Sequence, residues 1–185
     1  MAARVESWRG RVYRHIPAGS PFGPLDTRFA ARSRENRWNL PGEPTLYFGG
    51  DRGVLISEFG RHFREDRAPA LAAAAKVRQI LAIDLVLERV VDLRDPSPLQ
   101  SMGLLDAPAC FLDRSAARAT AGFLRHALGA EAAIVPSIAF LDDPARWNLV
   151  LFLDQLQRPL EEVVRRVTNA GTFRLTDPFG EIVVA

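Results

Sequence analysis

The sequence predicts a single domain of the α+β class, with more strand than helix. Short apolar runs of strand length recur between Gly, Pro and Asn turns, as in TLYF at 45–48 and WNLVLFLD at 147–154. Only two stretches carry apolar residues at convincing helical spacing. The chain has 185 residues, of which 48% are hydrophobic and 25% charged, a balance that suits one compact core.

The first half of the chain is expected to hold two strands and one helix. Arg11–Ile16 is the first strand, and Pro17 and Gly19 end it. A polar, arginine-rich loop follows over residues 19–42. Thr45–Phe48 is a short apolar strand broken by a Gly-Gly pair, after which Asp51 caps a helix whose apolar side chains recur down to about Phe63.

The second half adds strands around one more helix. Pro136 interrupts an apolar run, so Ser137 is expected at a strand edge or bulge. The predicted elements are strands at Lys76–Leu85 and Glu88–Leu93, a helix at Ser115–Leu128 with Ser115 as cap and Gly129 as stop, strands at Ala132–Phe140 and Trp147–Asp154, and a hairpin turning at Asn169–Gly171.

Composition narrows the class of protein. The formal net charge is only +2, and Lys76 is the single lysine. This small excess of basic residues gives no evidence for or against nucleic-acid binding. Cys110 stands alone, which excludes an intrachain disulfide and a cysteine zinc site. Three scattered histidines lack metal-ligand spacing. The sequence shows neither a secretory signal nor an apolar run of membrane-spanning length, so we expect a soluble cytoplasmic protein without a bound metal.

Four places set polar side chains among apolar ones: Tyr13-Arg14, the segment 36–39 (NRWN), Tyr47, and Ser57-Glu58. Any one of them is more often a surface ion pair or a residue at the edge of the core. A dinucleotide would nevertheless use all of them. Arginines bind a pyrophosphate, an aromatic ring stacks on nicotinamide, and a carboxylate stabilises the positive charge that develops on ribose when its N-glycosidic bond breaks.

Together and in order, these segments resemble the RES domain. The matching pieces are VYRH around Arg14, NRWNLPGEPTLYFGG at 36–50, VLISEFGRH around Glu58, VPSIAFLDD around Ser137, and WNLVLF at 147–152. The resemblance spans about residues 11–153. It implies one RES-like domain over residues 1–185, with a fold similar to that of ADP-ribosyltransferase toxins: a mixed or antiparallel sheet with flanking helices.

The resemblance also implies a function. RES proteins are usually the toxins of bacterial toxin–antitoxin pairs, with an Xre-type antitoxin, and they deplete NAD+ by hydrolysis or by phosphorolysis with inorganic phosphate. We therefore expect NAD+ as substrate, no further cofactor, an Xre-type antitoxin as partner, a possible homodimer, and no direct contact with DNA or membrane.

The same resemblance assigns roles to individual residues. Glu58 is the expected catalytic carboxylate, with Arg37, Tyr47 and Ser137 completing the catalytic group. The residues expected to bind the dinucleotide are Arg14, Arg37, Asn39, Tyr47 and Asn148. Ser137 is expected to hydrogen-bond substrate or the attacking group.

Two other functions remain open at this stage. The same cleft can transfer ADP-ribose to a protein, since only the acceptor differs. An arginine-rich surface can also serve a non-enzymatic domain that binds a partner or nucleic acid, although no nucleic-acid motif is present.

Overall fold

The strands of this protein form one mixed sheet that nearly closes on itself. The computed structural model describes residues 4–66, 77–95, 99–100, 102–175 and 182–184. The described strands are β1 (Val5–Pro17), β2 (Thr45–Gly49), β3 (Arg78–Asp92), β4 (Ala132–Pro136), β5 (Trp147–Phe152), β6 (Val164–Leu175) and β7 (Ile182–Val184). Their order is β1-β2-β5-β4-β3-β6-β7, and β1 pairs with β3 as well, so five strands form a ring.

This topology confirms the predicted α+β class with a mixed sheet. β3 and β4 are parallel, and the other pairs are antiparallel. The ring is weakest between β1 and β2, which share one register pair, Tyr13 with Gly49. On either side of that pair the two strands separate. Side chains rather than backbone hydrogen bonds therefore fill the gap between them.

The short strands β2, β4 and β5 are buried on both faces, so they read as continuous apolar runs. Alternate residues point to opposite faces. On β5, Leu149 and Leu151 pack into the cluster inside the ring, while Val150 and Phe152 pack into a second cluster against a helix. That arrangement explains why apolar periodicity predicted the strands but not their faces.

Three helices lie outside the sheet in the described chain: α1 (Arg52–Asp66), α2 (Arg114–His126) and the single turn α3 (Leu160–Val163). Asp51 caps α1 as predicted, since its Oδ1 accepts from Val54 N at 2.8 Å. A side chain at Gly50 would come within 2.5 Å of the Trp147 ring, so glycine is required where β2 turns into α1. Among the described residues, no helix is both long enough and apolar enough to cross a membrane.

The two strands predicted at Lys76–Leu85 and Glu88–Leu93 are one strand, β3, and Lys76 lies outside the described residues. No Gly or Pro interrupts the segment, so it continues through a bulge at Glu88 and Arg89. The buried Glu131 carboxylate accepts from the Glu88 and Arg89 amides at 2.7 and 3.3 Å, and from Gln157 N at 3.1 Å. This carboxylate replaces the ladder hydrogen bonds that the bulge removes.

The hairpin predicted at Asn169–Gly171 is wrong. These residues lie within β6, where the pairing with β3 shifts register. Gly171 has φ +110°, and its amide bonds Asn169 Oδ1 at 3.1 Å. Local turn chemistry therefore produces a bulge here, because tertiary pairing with β3 continues on both sides of it.

Smaller differences concern where elements begin and end. The cap of α2 is Asp113, which accepts from Ser115 N at 2.8 Å, rather than Ser115 itself. Gly129 follows the helix with φ +57°. Pro136 ends β4 four residues before the predicted limit, because proline cannot continue the ladder and a 3₁₀ turn begins at Ile138.

Replacing the buried Glu131 by alanine should destabilise the fold by about 3 kcal/mol or more, because three backbone amides lose their acceptor. Urea unfolding measures this change, and the exposed Glu162→Ala is the matched control, expected within about 0.5 kcal/mol of wild type. A loss below about 1 kcal/mol in Glu131→Ala would contradict this account of the bulge.

Candidate active site

A cavity of about 450 Å³ opens where β1 and β2 separate. Strands, α1 and two loops all contribute to its wall. The lining residues are Arg14, His15, Arg37, Trp38, Tyr47, Phe48, Gly49, Leu55, Glu58, Phe59, Arg61, Arg78, Pro136, Ile138 and Asn148. Four arginines and one glutamate among them give the cavity a clear excess of positive charge.

Glu58 is the carboxylate of this cavity, and its position is tightly defined. Its Oε1 accepts from Ser137 Oγ at 2.6 Å and from Asn148 Nδ2 at 3.1 Å, with Ala139 N at 3.4 Å. Its Oε2 accepts from Arg61 Nε at 3.1 Å, one turn further along α1. One oxygen is thus held by neutral donors, while the other forms an ion pair.

Ser137 owes its position to Pro136. The proline ends β4, and Ser137 then begins a 3₁₀ turn, with Ala139 N at 3.3 Å from its Oγ. The Ser137 side chain is fully buried and its hydroxyl proton points to Glu58. Ser137 therefore bonds Glu58 and is not among the residues that line the cavity. Its expected hydrogen bond to substrate or the attacking group stays a prediction.

Tyr47 presents its ring to the cavity, while its hydroxyl is occupied. The hydroxyl donates to Asn39 Oδ1 at 2.6 Å and accepts from Trp38 N at 3.1 Å. Burial raises the pKa of Tyr47, so it stays protonated at neutral pH. Asn39 is itself buried and also bonds carbonyls of its own loop. It supports Tyr47 from behind and does not line the cavity.

Arg37 is held by the start of the α2 region. Its Nη1 donates to the carbonyl oxygens of Phe111 and Leu112 at 2.8 and 2.6 Å. Both carbonyls belong to a 3₁₀ turn at Ala109–Leu112. Arg37 therefore reaches the cavity from a loop, and its hydrogen bonds to this turn hold the guanidinium in place.

Arg14 enters the cavity from β1. Its Nη1 donates to the Pro24 carbonyl at 2.5 Å, and its guanidinium lies 5.8 Å from the centre of the Phe48 ring. Burial lowers the pKa of Arg14 to about 10, which leaves it charged at neutral pH. Its hydrogen bond goes to a neutral carbonyl, and the nearby Asp26 carboxylate partly offsets the effect of burial on this pKa.

His15 and Arg78 were not expected in the site. Arg78 donates to His15 Nδ1 through Nε at 3.1 Å and lies 2.9 Å from it through Nη2. The His15 ring packs edge-on against Phe59 and Phe173, with centroids 4.5 and 5.5 Å away. Burial, followed by the charges of Arg78 and Arg14, lowers the pKa of His15 to about 3, so the ring is neutral.

The structure brings most of the predicted residues together. Arg14, Arg37, Tyr47, Glu58 and Asn148 line one cavity, and Ser137 bonds Glu58 from behind.

Arg61 was not expected in the site either, although the spacing of this residue could have identified it. It follows Glu58 by three positions on one helix face, a spacing typical of ion pairs. No local signal marks Arg78, which is 63 residues from its partner His15.

Comparisons with known families and structures found one matching family and a structure of similar fold. The family model described as the RES domain matches residues 8–176. A chain from the crystal structure of the M. tuberculosis MbcT-MbcA toxin-antitoxin complex shares the fold, with a TM-score of 0.64 and 22% sequence identity over 89% of this chain and 86% of that chain. A search of curated proteins found no significant match.

Because His15 is neutral in the folded protein, the free energy of unfolding should decrease as the pH is lowered. An unfolded histidine titrates near pH 6.5. As pH falls below that value, the unfolded chain gains a proton that the folded protein accepts only near pH 3. The stability contribution is therefore complete above pH 6.5 and is lost towards pH 3, at roughly 1.4 kcal/mol per pH unit.

The measurement is urea unfolding of wild type and His15→Asn at pH 7 and pH 5. Between these values the variant should lose roughly 2 kcal/mol less stability than wild type. The exposed His126→Asn is the control and should follow wild type. Equal losses in wild type and His15→Asn would show that His15 protonates in the folded state.

Proposed function

This chain belongs to the RES-domain family, and from that premise we propose that it is the toxin of a bacterial toxin–antitoxin pair that cleaves the nicotinamide–ribose bond of NAD+. The observation that carries the proposal is the carboxylate of Glu58, held by hydrogen bonds in a cavity whose lining includes four arginines and several aromatic rings. The arginines of such a cavity can bind an anion, and the Glu58 carboxylate can stabilise a cation that develops during the reaction.

The role of Glu58 follows from its hydrogen bonds. Breaking the N-glycosidic bond builds positive charge on the ribose, and a carboxylate close to that carbon stabilises it. Ser137 and Asn148 hold Oε1, so the carboxylate cannot swing away when the cation forms. Ser137 is a positioning residue in this scheme.

The nicotinamide is proposed to stack on Tyr47. Its hydroxyl is engaged with Asn39 and Trp38, so the tyrosine contributes a fixed aromatic face and no acid–base chemistry. Arg14 and Arg37 carry the guanidinium groups proposed to bind the pyrophosphate. Asn148 serves Glu58 and also lines the cavity, where its amide can reach a ribose hydroxyl.

The proposed reaction is dissociative. The bond between ribose C1′ and the nicotinamide nitrogen breaks, its electron pair leaves with neutral nicotinamide, and Glu58 stabilises the ribosyl cation. Water then adds to C1′ and releases a proton to give ADP-ribose. If inorganic phosphate adds instead, its oxygen forms the new bond to C1′ and ADP-ribose 1′-phosphate results.

The partner and the acceptor also belong to this proposal. The solved neighbour is named as a toxin-antitoxin complex, which supports an antitoxin partner for this chain, proposed to be of the Xre type and to cover the cavity. We place the activity in the cytoplasm, without direct DNA contact, and homodimer formation is a property implied by the family resemblance. ADP-ribosyl transfer to a protein would use the same cavity and differ only in the attacking group.

Glu58→Gln should abolish nicotinamide release, with a loss in kcat of at least about 10³-fold, because the neutral amide cannot stabilise the cation. Antitoxin-free protein is incubated with NAD+, with and without phosphate, and the products are separated and identified by mass. Ser137→Ala should lower kcat by about 10- to 100-fold with little change in KM, since only the hold on Glu58 is lost.

Circular dichroism and thermal unfolding check that both variants fold, and the exposed Glu162→Gln is the activity control. ADP-ribose indicates hydrolysis, and a phosphate-dependent phosphorylated product indicates phosphorolysis. Folded wild type that releases no nicotinamide, alone or with cell extract, contradicts the proposal. Nicotinamide release only with extract, together with a labelled protein, supports transfer instead.

The variants Tyr47→Phe and Tyr47→Ala distinguish the contribution of the aromatic ring from that of the hydroxyl group. The phenylalanine variant should keep kcat within about 5-fold of wild type while losing about 1–3 kcal/mol of stability, because Trp38 N and Asn39 lose a partner. The alanine variant should raise KM for NAD+ by about 10-fold or more through loss of stacking. A phenylalanine variant as inactive as alanine would assign chemistry to the hydroxyl.

A further inference from the structure

Arg78 lines the cavity but has no role in the reaction proposed above. Arg78 begins β3, lines the cavity with Glu58 and Arg14, and stacks 5.1 Å from the centre of the Phe59 ring. Its hydrogen-bond acceptor among the described residues is His15 Nδ1, bonded through Nε and Nη2. The guanidinium is thus fixed along one edge by a neutral ring.

Arg78 lines the cavity and has donors that the contact with His15 does not use. A guanidinium carries five N–H donors, and the contact with His15 uses only the edge formed by Nε and Nη2. No carboxylate of the described residues pairs with Arg78, and burial lowers the pKa of the group.

Placing two such cations together costs free energy. Arg14 and Arg78 both lie close enough to His15 to lower the pKa of the histidine. Each donates to a neutral acceptor, Pro24 O or His15 Nδ1. The charge of Asp26 acts on Arg14 from nearby, whereas no carboxylate of the described residues forms an ion pair with Arg78. Partly buried like charges are stabilised by an anion bound between or beside them.

We infer that Arg78, oriented by His15, forms a second oxyanion subsite of this cavity, beside Arg14, for a phosphate or phosphoryl group. His15 acts as a positioning residue that accepts from one edge of the guanidinium and leaves the other edge to the ligand. The planar fork suits two oxygens of a tetrahedral oxyanion.

Two sources can supply that group: a phosphate of the dinucleotide or free inorganic phosphate. The inference rests on the proposed function only for the identity of this occupant, because oxyanion binding itself is measurable without NAD+.

The first experiment titrates the folded full-length protein with inorganic phosphate by calorimetry at constant ionic strength. We expect saturable binding that Arg78→Gln weakens by about 10- to 100-fold, as for loss of charge-assisted hydrogen bonds. Arg11→Gln, an exposed arginine paired with Asp84 on the same two strands, is the matched control and should bind as wild type does.

Two variants of His15 test the positioning role. His15→Phe keeps an aromatic ring against Phe59 and Phe173 but removes the acceptor, and it should weaken phosphate binding by about 10-fold. His15→Asn supplies an oxygen near the place of Nδ1 and should restore most of the binding. A purely structural role for His15 predicts the reverse order, because phenylalanine packs better than asparagine.

Steady-state kinetics of Arg78→Gln with NAD+ and phosphate identify the source. A raised KM for NAD+ assigns the subsite to the dinucleotide. A raised half-saturation concentration for phosphate alone assigns it to the inorganic ion.

The inference is overturned if wild type binds no phosphate saturably, or if folded Arg78→Gln binds it as tightly as wild type. Should Arg78→Gln fail to fold, the His15 pair decides: equal binding by His15→Phe and wild type overturns the subsite. Phosphate binding that depends on Arg78 in a protein that does not cleave NAD+ would uphold the subsite and reject the proposed function.

Discussion

Three parts of the fold meet at one oxygen atom of Glu58. Oε1 receives the Ser137 hydroxyl and the Asn148 amide, with Ala139 N nearby, so it joins α1 to the end of β4 and to β5. These donors to Oε1 are neutral, and the ion pair with Arg61 is made by the other oxygen, Oε2. This junction forms part of the cavity wall, and α1 is held there as well by the packing of Leu55, Ile56 and Phe59 against Ile80 and Phe173.

Three of the four arginines of the cavity also form hydrogen bonds with neutral groups. Arg14 donates to a carbonyl oxygen, Arg37 to two carbonyl oxygens and Arg78 to a neutral imidazole, whereas Arg61 pairs with Glu58. These hydrogen bonds orient the guanidinium groups, while the charges of Asp26 and Asp113 act on Arg14 and Arg37 respectively. The low pKa of His15 belongs to this arrangement, since a protonated ring could not accept from Arg78. The result is a preorganised site for a polyanion with one negative charge inside it.

The sheet supplies the rigidity that this arrangement needs. A ring of five strands with apolar side chains on both faces holds β2 and β5 in register, which places Tyr47 and Asn148 in one cavity. The bulge of β3 is closed by the buried Glu131 carboxylate, and the turn at Gly50 lets α1 begin against Trp147. Where ladder pairing fails, between β1 and β2, the ligand-sized space appears.

The sequence by itself determined the α+β class, the cap of α1 at Asp51 and the family, because these depend on local patterns and ordered motifs. It also pointed to Glu58, Arg14, Arg37, Tyr47 and Asn148, which share one cavity. Only the tertiary structure decided that β3 is one bulged strand, that Asn169–Gly171 is a bulge rather than a hairpin, and that Ser137 and Asn39 stand behind the cavity wall. It alone joined Arg78 to His15, because a contact between strands 63 residues apart follows from pairing register, which no local pattern encodes.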